Sequence, residues 1–189
     1  AFKRLKLPLR FALGLNVSGN AVSADLAAMP HLLIAGATGS GKSVCVNSLI
    51  CCLLLHNTPD DLRLVMVDPK RVELTGYNGV PHLLAPVVVE MERVIGALQW
   101  MLREMDKRYH EFAQAGARNI QDYNVRMKSQ GGKKIPYLVV VIDELAQLLG
   151  QPGQAVRVDD TGQVRVRDAG RPQHGSQHRR RHRLDVVCR

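Results

Sequence analysis

The sequence predicts an α/β fold with a mostly parallel sheet and flanking helices. Three observations carry that reading. Three short apolar runs, Leu32 to Ala35, Leu62 to Val67 and Tyr137 to Ile142, have the length and aliphatic content of strands buried on both faces. Two longer segments between them, Val44 to His56 and Glu90 to Phe112, have helical length or helical spacing. Each apolar run also ends in a glycine-rich or polar cluster, and open α/β sheets bind ligands at those strand ends.

Taken in order, residues 1 to 10 form a lead-in segment. Phe11 to Leu15 and Ala21 to Leu26 flank the turn-rich Asn16-Val-Ser-Gly-Asn20, which reads as a β-hairpin. Met29-Pro30 punctuates the chain before the first buried strand. The helix from Val44 ends near Asn57-Thr58-Pro59, where proline blocks continuation. The second strand, Leu62 to Val67, closes on Asp68-Pro69-Lys70. The stretch from Arg71 to Val89 holds Gly76, Gly79, Pro81 and Pro86 and reads as mostly loop. Glu90 opens an amphipathic helix whose apolar stripe, Met91 through Phe112, is core packing, and Gly116 stops it. A short helical piece around Ile120 to Met127 and a polar turn from Ser129 to Lys134 lead to the third strand. Lys133-Lys134 reads as a solvated loop ahead of a phosphate contact.

Between the first strand and its helix lies Gly36-Ala37-Thr38-Gly39-Ser40-Gly41-Lys42-Ser43, which fits G-x-x-x-x-G-K-[ST]. Two fixed glycines followed by Lys-Ser arise by chance in roughly one chain per hundred, and the strand–turn–helix context makes accident rarer. The glycines open backbone conformations closed to residues with a Cβ, so successive N–H groups can converge on a phosphate. The helix starting near Lys42 adds its positive end. Residues 36 to 44, through Val44, are therefore the candidate nucleotide-binding set. Lys42 would reach the β- and γ-phosphates, and the Ser43 hydroxyl would ligate Mg²⁺.

The third strand ends in Asp143-Glu144, about 100 residues after the glycine loop. An apolar strand with an acidic end means little alone. Paired with a full phosphate loop it predicts a nucleotide hydrolase, with Asp143 holding the metal's hydration shell and Glu144 orienting and deprotonating the attacking water. Candidate catalytic residues are Lys42 and Glu144, candidate metal ligands Ser43 and Asp143, and candidate cofactors ATP and Mg²⁺.

Length allows one domain with a real core. No run of 18 or more apolar residues and no signal-peptide pattern appears, so no membrane segment is expected. Cys45, Cys51, Cys52 and Cys188 lack metal-site spacing. The first three lie on one helix, where they are expected to act as small apolar residues in a reducing cytoplasm. The net charge of +9 divides unevenly. Residues 1–149 carry 17 Lys/Arg against 13 Asp/Glu, and residues 150–189 carry nine arginines, no lysine and four acids. Such a balance is compatible with a nucleic-acid partner without demanding one.

The chain also resembles a known family, the FtsK/SpoIIIE-type double-stranded DNA translocases. The resemblance rests on Asn16 to Asn20 with Ala24 to Gly36, on Asp68-Pro69-Lys70 followed by Glu73-Leu74 and Pro81-His82-Leu83-Leu84, on Met101 to Met105 with Arg108-Tyr109, on Arg118-Asn119-Ile120 with Tyr123-Asn124, and on Val141 to Ala146. Gln147 stands where the family has an acidic residue. The resemblance implies a RecA-like P-loop NTPase that forms a homo-hexameric ring around double-stranded DNA. ATP hydrolysed at subunit interfaces would move the duplex during chromosome segregation, division or sporulation. It implies a cytoplasmic motor whose parent could be anchored to the inner membrane. The alternatives are a related secretion or conjugation ring ATPase, against which the Asp68-Pro69-Lys70 block argues, and a catalytically inactive product.

The domain reading is a lead-in segment and hairpin over 1–30, an ATPase core over 31–149, and a basic tail over 150–189 with no family resemblance and no expected order. The abrupt change after Gly150 to lysine-free, arginine-rich sequence suggests a reading-frame change, which leaves the fold C-terminally incomplete. The competing reading makes His178-Arg-Arg-Arg-His-Arg183 a DNA-binding tail. The γ-phosphate sensor and arginine finger of the family find no match here, and this chain is expected to bind ATP·Mg²⁺ but hydrolyse it poorly.

Overall fold

A computed structural model describes residues 7–29, 31–37, 39–145, 154–158, 164–168 and 184–188. The strands β1 (Arg10–Leu15) and β2 (Ala21–Asp25) form the N-terminal hairpin. They are followed by β3 (His31–Ile34), α1 (Lys42–His56), β4 (Leu62–Val67), α2 (Met91–Gln114), α3 (Ile120–Ser129) and β5 (Tyr137–Ile142). Three further strands, β6 (Gln154–Val158), β7 (Val164–Asp168) and β8 (Leu184–Cys188), complete the described chain. The fold class is the α/β class that the sequence predicts.

The central sheet runs β3-β8-β5-β4. β4 and β5 pair in parallel, from Leu62 opposite Tyr137 to Val67 opposite Ile142. β8 pairs antiparallel with both β3 and β5, so β3, β5 and β4 all point the same way. Their C-terminal ends, carrying the glycine loop, Asp143 and Asp68, therefore share one side of the sheet.

β4 and β5 are almost wholly apolar, Arg63 being their one charged residue, because both faces of each strand are covered. Leu62, Leu64, Met66, Val139 and Val141 join Val46, Leu49, Ile50 and Leu53 of α1 in one core. Val65, Val67, Leu138, Val140 and Ile142 point the other way and pack with Val94 and Leu98 of α2. The hairpin closes the first core through Leu9, Phe11 and Leu26, its turn into the chain held by Asp25 Oδ1, which accepts from Leu9 N (3.0 Å) and Ala27 N (3.1 Å). The outer edge of β4 is covered by residues 82–88, whose backbone bonds to Leu64, Met66 and Asp68. That removes an exposed ladder of the kind that invites association.

The tail after Gly150, expected to lack order, contributes β6 and β7, paired antiparallel, and β8 inside the central sheet. The alternation Val156, Val158 and Val164, Val166 is the period-2 signal that overall arginine content obscured. Of the α1 cysteines, Cys45 and Cys51 are exposed and Cys52 is half-buried against the first core, all three as free thiols. Among the described residues no helix is long and apolar enough to cross a membrane.

Candidate nucleotide-binding site

The glycine loop owes its shape to missing side chains. Gly39 and Gly41 sit at φ +78° and +88°, in the left-handed region where a Cβ is costly. A Cβ on Gly36 would strike the Ser40 side chain, whose own backbone N–H closes a turn on Ala37 O at 3.1 Å. Gly41 is the N-cap of α1 and offers no side-chain acceptor, and the first turn carries no acidic residue. The leading N–H groups of the helix are thus left for an external anion. Gly36, Ala37, Gly39, Ser40, Gly41 and Val44 are exposed, and Lys42 and Ser43 half-buried. Thr38, also expected to bind nucleotide, lies outside the described residues.

Asp143 and Glu144 leave β5 directly beside Asp68 at the end of β4, and Asp143 N donates to Val67 O at 2.9 Å. Lys42 Nζ lies 3.6 Å from Glu144 Oε1. The glycine loop and the acid pair therefore meet, as a shared nucleotide site requires.

The two carboxyls of the pair are pushed apart. Asp143 is buried, and its carboxyl is raised above its ordinary value, chiefly by burial and then by the charges of Asp68, Glu144 and Glu73, against the pull of Lys42. Glu144 is lowered, first by the hydrogen bond from Lys70, with further help from Lys42, against some desolvation. Glu144 is thus held ionised, as a base must be, while Asp143 sits in an excess of negative charge.

That excess is the test of whether a divalent cation fits. Asp68 is fully buried; its Oδ2 accepts from Glu73 N (3.0 Å) and Leu74 N (2.9 Å), while its Oδ1 has no hydrogen-bond partner among the described residues. Ser43 Oγ donates to Glu73 Oε1 at 2.8 Å. Hydroxyl and carboxylate oxygens in a negative field suit a hard cation. Among the described residues no group of three or more His, Cys, Asp or Glu forms a protein cage. Mg²⁺ asks for no such cage, since it keeps waters and phosphate oxygens alongside one or two protein ligands. The residues fit.

Sequence reasoning did not assign site roles to Lys70 and Glu73, nor to Asp68. Lys70 Nζ is 3.0 Å from Glu144 Oε1, the shorter of the two lysine contacts. The available signal was the polar cluster closing a parallel strand. What the cluster would touch depended on β5 lying next to β4.

The sequence profile of the FtsK/SpoIIIE family matches residues 1–182, further than the end at Gly150 that the sequence reading drew for the resemblance. The chain is 54% identical over 149 residues to the DNA translocase FtsK of Clostridium tetani, covering 78% of this chain and 20% of that protein. It is 50% identical over 150 residues to the DNA translocase SftA of Bacillus subtilis, covering 79% and 16%. The chain thus spans about a fifth of the length of such relatives, or less. Among solved structures, the pCW3 conjugation coupling protein TcpA with ATPγS superposes with a TM-score of 0.64 at 30% identity, covering 84% of this chain and 41% of that one. The cytoplasmic domain of EssC, at 20% identity and TM-score 0.66 over 76% of this chain and 28% of its own, shares the fold. These are P-loop ATPase motor folds, and by its profile and its relatives the chain belongs to the FtsK/SpoIIIE family.

Proposed function

We propose that this chain is the ATP-binding part of the motor of a double-stranded DNA translocase acting in chromosome segregation and cell division. The observation that supports it most is the 3.6 Å approach of Lys42 to Glu144, in a chain whose relatives at 50% identity and above are named DNA translocases. In this reading the N–H groups of residues 36 to 44 cradle the phosphates, and Lys42 leaves Glu144 for the β- and γ-phosphates. Ser43 and Asp143 hold Mg²⁺, which when bound neutralises charge on the transferring phosphoryl group. Glu144 orients a water and accepts its proton. Ring assembly around DNA as a homo-hexamer and work on the cytoplasmic side of the membrane belong to the same proposal.

The test is equilibrium binding of ATP with Mg²⁺ to this chain, and hydrolysis by the full-length parent with and without linear duplex DNA. Lys42→Ala should weaken ATP binding about 30- to 300-fold, since it removes charge-assisted contacts to phosphate. Hydrolysis should rise when duplex DNA is added. Binding that ignores Lys42→Ala refutes the nucleotide site. Hydrolysis indifferent to DNA turns the reading toward the secretion or conjugation ATPases, for which the likeness to TcpA is the supporting observation.

A further inference from the structure

Lys42 and Lys70 converge on the same oxygen, Glu144 Oε1, at 3.6 and 3.0 Å. Lys42 has a clear reason to be there, because the phosphate loop must hold it. Lys70 comes from a different loop, and that loop is built to deliver it. Arg71 N donates to Asp68 O at 3.1 Å, closing a turn over Pro69 and Lys70. The buried Asp68 carboxylate pins the far side of the loop through the N–H groups of Glu73 and Leu74.

Backbone strain marks the same place. Among the described residues only Arg71 (φ +60°) and Glu144 (φ +59°) are non-glycine residues in the left-handed region. One adjoins Lys70 and the other is its partner. Such conformations persist where the surroundings over-determine them, and they collect at functional sites.

We propose, building on the nucleotide-site reading above, that Lys70 is a positioning residue that holds Glu144 when a bound triphosphate claims Lys42. Without nucleotide the two lysines share one carboxylate. When Lys42 turns to the phosphates, Glu144 loses one counter-charge and keeps the other. Removing Lys70 would let Glu144 settle wholly on Lys42, so a triphosphate would have to break that pair and leave an unpaired carboxylate beside its own negative charge. Lys70 thereby supports nucleotide binding without touching the nucleotide, and it fixes the direction in which Glu144 points.

A double-mutant cycle on the whole chain tests this, read by binding of a fluorescent methylanthraniloyl-ATP with Mg²⁺. Lys70→Met should weaken binding about threefold to tenfold, the range open to a partly exposed charge pair. In a Glu144→Gln background the same substitution should change affinity less than about twofold, because the carboxylate it restrained is gone. Lys70→Arg should restore binding to within about twofold of the unsubstituted chain. Equal losses in both backgrounds would mean that Lys70 meets the phosphates itself, and no loss in either would mean that it does nothing; both overturn the proposal. Should Lys70→Met unfold the chain, Glu144→Gln alone still decides, since freeing Lys42 should leave binding equal or tighter, and weaker binding overturns the idea. Failure of the underlying site looks different: the unsubstituted chain would not bind the probe, and Lys42→Ala would change nothing. That outcome overturns the proposal with the reading beneath it.

Discussion

Two loops border the candidate site, and they are made in opposite ways. The loop after β3 is shaped by what it lacks. Its glycines sit where side chains are costly, and its helix cap has no side-chain acceptor for the leading N–H groups. The loop after β4 is shaped by one buried side chain, Asp68, which accepts two backbone N–H groups across the turn. The first is an empty cradle that a ligand completes. The second is already complete and presents Lys70 and Glu73 as finished fixtures. A site of this kind joins a part left open for its ligand to a part that is rigid without it.

The contrast can be broken most forcefully at Asp68. Asp68→Ala should cost about 2–4 kcal/mol, because it strands the N–H groups of Glu73 and Leu74, the latter buried. Urea unfolding measures it, and a loss under about 1 kcal/mol would show that the loop is held by something else. Gly41→Ala tests the open loop: with nothing within 4 Å of a new Cβ, only the φ of +88° opposes it. The expected cost is about 1–2 kcal/mol, with weaker ATP binding besides. Arg71→Gly, at nearly the same kind of backbone angle in the other loop, should have the opposite sign and stabilise by about 0.5–1 kcal/mol. If both glycine changes moved stability in the same direction, backbone strain would not be what separates the loops.

The smallest effect lies at the other end of the sheet. Lys134 Nζ meets Asp61 Oδ1 at 2.6 Å, both side chains well exposed. This contact, with Thr58, holds the Asp61 carboxyl below its ordinary value. A carboxyl lowered on folding adds stability above its unfolded value, and that contribution fades as pH falls through the folded one. Solvent screening limits it to a few tenths of a kcal/mol. Comparing urea midpoints at mildly acidic and strongly acidic pH, Lys134→Ala should remove only that small acid-dependent part.

Much of the molecule was legible beforehand. β4 and β5 fall on the runs read as strands, Leu62 to Val67 and Tyr137 to Ile142, since a short, dominantly aliphatic segment bounded by turn residues has few other uses. The helix after the glycine loop begins at Lys42, as the motif requires. After Gly150 the arginines between the valines lower the apolar content while leaving intact the alternation that β6 and β7 carry. The placing of the α1 cysteines shows a different limit. Composition says that they can be buried, and only the packing of Val46, Leu49, Ile50 and Leu53 decides which face is.

By itself the sequence determined the glycine loop, the acid pair and the strands that carry them, because these depend on local backbone freedom and on short apolar periods. The tertiary structure alone decided that Asp68, Lys70 and Glu73 belong to the same site. Their roles arise from the parallel pairing of β4 with β5, which sets two strand ends side by side and lets charges 74 positions apart in the chain, Lys70 and Glu144, approach to 3.0 Å. Spacing along a chain records what neighbouring residues can do together, and proximity across a sheet is fixed only when the strands pair.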